Sequence, residues 1–104
     1  MKKQIKDLEL FEVDYLVAKA EGLESIVIRN NECYLANWKY SPTTNPAQAW
    51  TIIERERISV MFSRVVEQWV STSNNADVQF FCKTSLEAAM RCYVASKFGN
   101  EVDI

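Results

Sequence analysis

Apolar residues recur along the chain first with a helical period and then with the period of a strand. In "LFEVDYLVAKAEG", Val13, Leu16, Val17 and Ala20 fall at i, i+3, i+4 and i+7, the spacing that lays one apolar stripe along an α-helix. Glu12 and Asp14 come early and Lys19 late, the order the helix dipole favours. Gly22 is a natural stop. The pattern changes in "LESIVIRNNECYLANW". Ile26, Val27 and Ile28 are β-branched, and Asn30-Asn31 tolerate positive φ, so the stretch predicts a β-hairpin with strands near 24–29 and 33–38.

Asn45-Pro46 then opens a second helix, with Asn45 as N-cap and Pro46 where its missing N–H costs nothing. Ala49, Trp50, Ile53 and the stem of Arg57 are expected to form its buried face. "ISVMFSRVVEQWVSTSNNADVQFFCKT" supports two readings. Ile58, Val60 and Phe62 alternate as in a strand, while Ile58, Phe62, Val65 and Trp69 keep helical spacing. The dominance of Val, Ile, Phe, Ser and Thr favours two or more strands, with "TSNNAD" as a loop and "DVQFFCK" as a strand. A single helix from 46 to 70 is the alternative. "TSLEAAMRCYVASKFGNE" predicts the third helix. Thr84 and Glu87 match a capping box, Leu86, Ala89, Met90, Tyr93 and Lys97 line one face, Glu87 can pair with Arg91, and Gly99-Asn100 end it. The tail "EVDI" is expected to fray. Helix, hairpin, helix, strands and helix in that order predict an α+β fold. A small, mostly antiparallel sheet packs with about three helices in an α-β-α arrangement, as one domain spanning 1–104.

Composition narrows the chemistry. With no histidine among 104 residues, Ser-His-Asp and Cys-His catalysis and His-ligated zinc are excluded. Cys33, Cys82 and Cys92 are odd in number and widely spaced. They are neither a metal-binding pair nor a disulfide framework, and read as reduced thiols. The net charge of −2 argues against a general nucleic-acid coat, which needs a basic surplus. The first residues lack the apolar run of a signal peptide, and no stretch approaches a membrane span, so a soluble intracellular protein is expected. Glu54 and Glu56 stand two apart on a helix and do not face one substrate. Gly22 and Gly99 are the whole glycine content, so there is no phosphate loop. No cofactor, no metal and no catalytic residue is expected.

The best candidate site is partner-binding: Trp38, Lys39, Tyr40 and Arg55, with Trp50 nearby in sequence. Aromatics mixed with cations suit a protein hot spot and also base stacking on a single strand. The plain alternative is packing between hairpin and helix. Tyr40, before Ser41-Pro42, is expected on an extended surface segment and at least partly exposed. Trp50, one turn before Ile53, is expected to be mostly buried.

"DYLVAKAEG", "YSPTTNPAQAWTIIERE" and "AAMRCYVASKFGNEV" together resemble the NinX-like proteins of lambdoid bacteriophages, over residues from about 8 to 102. The last of these stretches is the most specific. Asn45-Pro46 and Ala49-Trp50-Thr51 depart from the family tract, which carries an acid and an aromatic and then Gly-Gly-Pro; the departure favours a continuous helix here. The resemblance implies an α-β-α sandwich and a small phage protein made in the cytoplasm of a bacterial host, and it brings no catalytic residues. The expectation is a non-enzymatic accessory protein that binds a host or phage protein, a host defence system such as CRISPR–Cas being one version; a homodimer is compatible with the sequence. The competing expectation is single-stranded nucleic-acid binding in phage replication or recombination, which needs Lys39, Arg55, Arg57 and Arg64 on one face with an aromatic.

Overall fold

The first helix, α1 (Leu10–Ala20), begins where Glu12 turns its carboxylate back onto the chain. The Glu9 N–H donates to Glu12 Oε1 at 2.9 Å, which satisfies one of the orphan donors of a helix start. Val13, Leu16, Val17 and Ala18 are buried along α1, as their spacing requires. The fold is described from a computed structural model covering residues 1–73 and 76–104.

After α1 come β2 (Ile26–Arg29) and β3 (Glu32–Leu35), paired antiparallel with Val27 opposite Tyr34. Asn30 and Asn31 both take positive φ in the connecting turn, the conformation a tight hairpin demands. The second strand is shorter than the 33–38 expected. Ala36 also takes positive φ, the chain reverses there, and Trp38–Lys39 returns as β4, with Trp38 opposite Leu35.

Helix α2 (Pro46–Glu56) starts as anticipated, with Asn45 Oδ1 accepting from the Ala47 N–H at 3.0 Å. It ends at Arg57, whose φ of 55° is left-handed. That stop excludes the single helix from 46 to 70. The chain continues as β5 (Ser59–Ser63) and β6 (Gln68–Ser73), joined by a turn and paired with Met61 opposite Val70. Strand β7 (Ala76–Cys82) completes this sheet, with Phe81 opposite Val70. The loop expected over 72–77 is narrower, since Thr72 and Ser73 end β6 and Ala76 and Asp77 begin β7; its residues 74 and 75 lie outside the described residues.

Helix α3 (Ser85–Phe98) is capped by Thr84, whose Oγ1 accepts from the Glu87 N–H at 3.2 Å. The Glu87 carboxylate holds Arg91 Nε at 3.0 Å. Ala88 through Ala95 are all buried, so the single inner face expected of this helix is too narrow. The reason is position: α3 packs on β5, β6 and β7 and also on α1 and α2. A helix covered on several sides buries its whole circumference.

The tail does not fray. Glu101–Asp103 forms β8, which pairs antiparallel with β1 (Lys2–Gln4), Lys3 opposite Val102. Val102 is buried, and the Met1 ammonium meets Asp103 at 2.9 Å. The fold is α+β as anticipated, but its β-structure is divided into three antiparallel sheets, β1–β8, β2–β3–β4 and β5–β6–β7. Turns with positive-φ residues, Asn30-Asn31, Ala36 and Glu67, close the β2–β3, β3–β4 and β5–β6 pairs locally, and β1–β8 joins residues from the two ends of the chain.

Candidate functional site

Strand β4 and helix α2 are clipped together by one side chain. Gln48 Nε2 donates to the Lys39 carbonyl at 3.1 Å, and Gln48 Oε1 accepts from the Ser41 N–H at 2.7 Å. Around this clip the expected exposures of two aromatics are exchanged. Tyr40 is only 8% exposed, and Trp50 is 57% exposed. Tyr40 turns inward because its N–H donates to the Cys33 carbonyl at 2.8 Å, and because the chain beyond it is drawn down onto α1. There Asp14 accepts from the Thr43 N–H at 2.9 Å and from the Thr43 hydroxyl at 3.1 Å. Pro42 and Thr43 are therefore buried with Tyr40, and the segment is not a surface loop. Burial, with the nearby Glu21 and Asp14 carboxylates, pushes the Tyr40 phenol up to about 12. Trp50 is exposed because Ala49, Ile52 and Ile53 set the inner stripe of α2, and the next position round the helix falls outside it.

The four candidate residues sit in different surroundings. Trp38 is 78% exposed at the end of its sheet. Lys39, beside it, is held by Glu32 at 2.5 Å, and Glu32 also accepts from the Tyr34 hydroxyl at 3.1 Å. Tyr40 belongs to the core. Arg55 sits where the three helices meet. Its Nη1 and Nη2 fork onto Glu21 at 3.2 and 2.5 Å, its Nε meets Glu56 at 2.9 Å, and the Tyr93 hydroxyl donates to the same Glu21 carboxylate. Burial works to raise Glu21, but the hydrogen bonds from Arg55 and Tyr93 outweigh it and hold the carboxyl below its ordinary range. The expected buried stem of Arg57 is absent: Arg57 is exposed as the left-handed cap of α2.

A second surface was not singled out by the sequence reading. In sheet β5–β6–β7, paired residues share a face. Val60, Ser71 and Phe80 share one face with Phe62, Trp69 and Cys82, and Ser71, Phe80 and Cys82 are buried there against α3. Met61, Val70 and Phe81 form a row across the opposite face. Met61 is 65% exposed and Phe81 is also exposed, while Val70 between them is buried. Val65 and Val66, in the β5–β6 turn, are also exposed. The signal lay in "QFFC". Adjacent aromatics on a strand point to opposite faces, so one of Phe80 and Phe81 had to point away from α3.

This row ends at a groove. A cavity of about 400 Å³ is lined by Val78 through Cys82 on one side and by Gln4–Lys6, Asn100 and Arg91 on the other. Side chains alternate between the faces of a strand, so a cavity lined by five consecutive residues follows the strand's edge. Strand β7 is the outer strand of its sheet. The far wall is held by hydrogen bonds. Arg91 Nη1 and Nη2 donate to the Ile5 and Leu8 carbonyls at 2.6 and 2.8 Å, and the Ile5 N–H donates to the Asn100 carbonyl at 2.9 Å.

The three thiols are free and buried. Burial pushes Cys33 and Cys82 up to about 11. Among the described residues no group of three or more His, Cys, Asp or Glu side chains is placed to hold a metal ion, and no helix is long and apolar enough to cross a membrane. In comparisons with known proteins, a family model described as "Bacteriophage P22, NinX" matches residues 4–97. No curated protein matches the chain.

Proposed function

The chain belongs to the NinX family of bacteriophage P22, and from that premise we propose that it is a non-enzymatic phage accessory protein acting in the host cytoplasm by binding another protein. The observation that supports this reading is the apolar row Met61–Val70–Phe81, which lies on the sheet face turned away from α3 with Met61 and Phe81 exposed. Exposed apolar surface backed by a packed sheet is the usual ground of a protein interface. A host defence complex such as CRISPR–Cas is one partner class within the reading.

The competing reading, single-stranded nucleic acid, is weakened because two of the four cations it needs are engaged: Lys39 is paired with Glu32, and Arg55 with Glu21 and Glu56, whereas Arg57 and Arg64 are exposed. Cations neutralised by carboxylates release no phosphate counterions on binding. Affinity capture with the tagged full chain in phage-infected cells tests the choice. A stoichiometric protein retained by wild type and reduced at least tenfold by Met61→Ser, with an unchanged melting temperature, supports protein binding. Trp38→Ala in the same assay reads the contribution of the β4 aromatic. Recovery of nucleic acid alone, or of no stoichiometric component, refutes the proposal.

A further inference from the structure

We propose that the free edge of β7, from Val78 to Cys82, is a docking site for one extended segment of a partner protein, which adds to sheet β5–β6–β7 as a fourth strand. The inference rests on the protein-binding reading above and supplies its geometry.

The edge itself is the first observation. An outer strand presents alternate N–H and C=O groups with no strand to receive them, and β7 has β6 on one side only. Among the described residues no backbone hydrogen bond from any element but β6 reaches Val78–Cys82. Edges are ordinarily guarded by lysine, proline or a covering element. "VQFFC" carries no charge and no proline. The element beside it, Gln4–Lys6, stands off and leaves the cavity between.

The chemistry of that edge selects the occupant. Its unreceived N–H and C=O groups are matched by the open edge of another strand, whereas a helix spends its backbone groups internally. The sheet of a second folded copy is kept off by Gln4–Lys6 and Asn100, which wall the far side and are held by Arg91 and by the Ile5–Asn100 hydrogen bond.

Continuity supplies the sequence preference. A strand laid beside β7 carries its side chains alternately to the two faces. Those on the outer face continue the row Met61–Val70–Phe81. Those on the inner face enter the cavity against Ile5, Phe80 and Cys82. The segment therefore carries β-branched residues on both faces at its centre. At the cavity rim the cation Lys6 stands free of any ion pair among the described residues, whereas Glu87 is engaged by Arg91, so acidic ends are favoured.

The probe is the capped peptide acetyl-Glu-Val-Thr-Val-Thr-Val-Glu-amide, titrated into the ¹⁵N-labelled full chain. Saturable shift changes are expected at amides 78–82 and at Ile5 and Lys6, with exchange of the outward β7 amides slowed at least tenfold. The same peptide with proline at both threonines lacks the needed N–H groups and is expected to produce neither effect. Phe81→Lys is expected to weaken the peptide at least tenfold, and the retained amide spectrum of that variant verifies its fold. No β7 response at millimolar peptide, or an equal response to the proline control, overturns the inference. So does a dimer in which the β7 amides are already protected without peptide. If the edge inference fails while Met61→Ser still abolishes partner capture, protein binding stands and its site lies on the sheet face. If no partner is captured, the broader reading falls by its own experiment.

Discussion

Replacing Asp14 with asparagine should stabilise the chain at neutral pH and leave it nearly unchanged in acid. Asp14 is 4% exposed on α1, and both its oxygens accept hydrogen bonds from Thr43. Two effects oppose each other there. Burial disfavours the charged carboxylate, while the Thr43 bonds and the positive charge of Lys39 favour it. Burial is the larger, and the carboxyl group is raised to about 6. The folded state therefore holds its proton more tightly than the unfolded chain, whose aspartates titrate near 3.8. Below about pH 3 both states are protonated and Asp14 costs nothing. As the pH rises through about 6, the unfolded chain ionises the more readily, and stability is lost. Above pH 7 the loss levels off at about 3 kcal/mol, from ~1.4 kcal/mol for each tenfold change in proton affinity.

Asparagine removes the charge and keeps the shape. Its Oδ1 can still accept the Thr43 N–H, and its Nδ2 can donate to the Thr43 hydroxyl. The shift to about 6 is already net of the Thr43 bonds, so a variant that matches the protonated acid in stability at low pH should gain about 3 kcal/mol at pH 8. The assay is urea unfolding of wild type and Asp14→Asn at about pH 3, 6 and 8, followed by circular dichroism. The wild-type-minus-variant difference cancels the other carboxylates, including Glu21, Glu32 and Glu56, which are held below their ordinary range and act in the opposite sense. Asp14→Ala separates charge from anchoring. It strands the buried Thr43 N–H and should cost about 2–3 kcal/mol even in acid. A wild-type-minus-variant difference that does not change with pH, or that favours Asp14 increasingly as pH rises, would refute the reasoning, because the Thr43 bonds would then outweigh burial.

Tyr40→Ala should lower stability by about 3 kcal/mol, the usual cost of emptying a buried aromatic position. Trp50→Ala should stay within about 1 kcal/mol, as exposed substitutions do; thermal melts of the pair check both. The native protein should react with no thiol reagent such as Ellman's at about pH 8. Cys33, Cys82 and Cys92 are buried and their pKa values are raised, and the thiolate is the reactive form. Three equivalents should react once urea unfolds the chain, and rapid labelling of the folded protein would contradict the burial.

What could be read from the sequence and what could not divide along a physical line. Helix starts were legible because caps are local chemistry: Asn45 and Thr84 each bond an N–H two or three residues away. The Asn30-Asn31 turn was legible for the same reason. The direction of Tyr40 was not, because Thr43 and Asp14, 29 residues apart in sequence, decide it by pulling the chain onto α1. Nor was the exposure of Trp50, since Ala49, Ile52 and Ile53 also keep helical spacing, and only the position of α3 selects which stripe faces inward. The tail was misread because β1, its partner, lies about a hundred residues away. The apolar row and the groove share this origin. Met61, Val70 and Phe81 come from three strands, and the groove wall opposite them comes from the first few residues of the chain. A surface assembled by pairing leaves no contiguous motif, whereas "WKY" looks like a site because it is contiguous. Its three members face three different surroundings: solvent for Trp38, the Glu32 carboxylate for Lys39 and the core for Tyr40. Contiguity in sequence is thus weak evidence for a binding surface on a strand, and shared register across strands is the stronger kind.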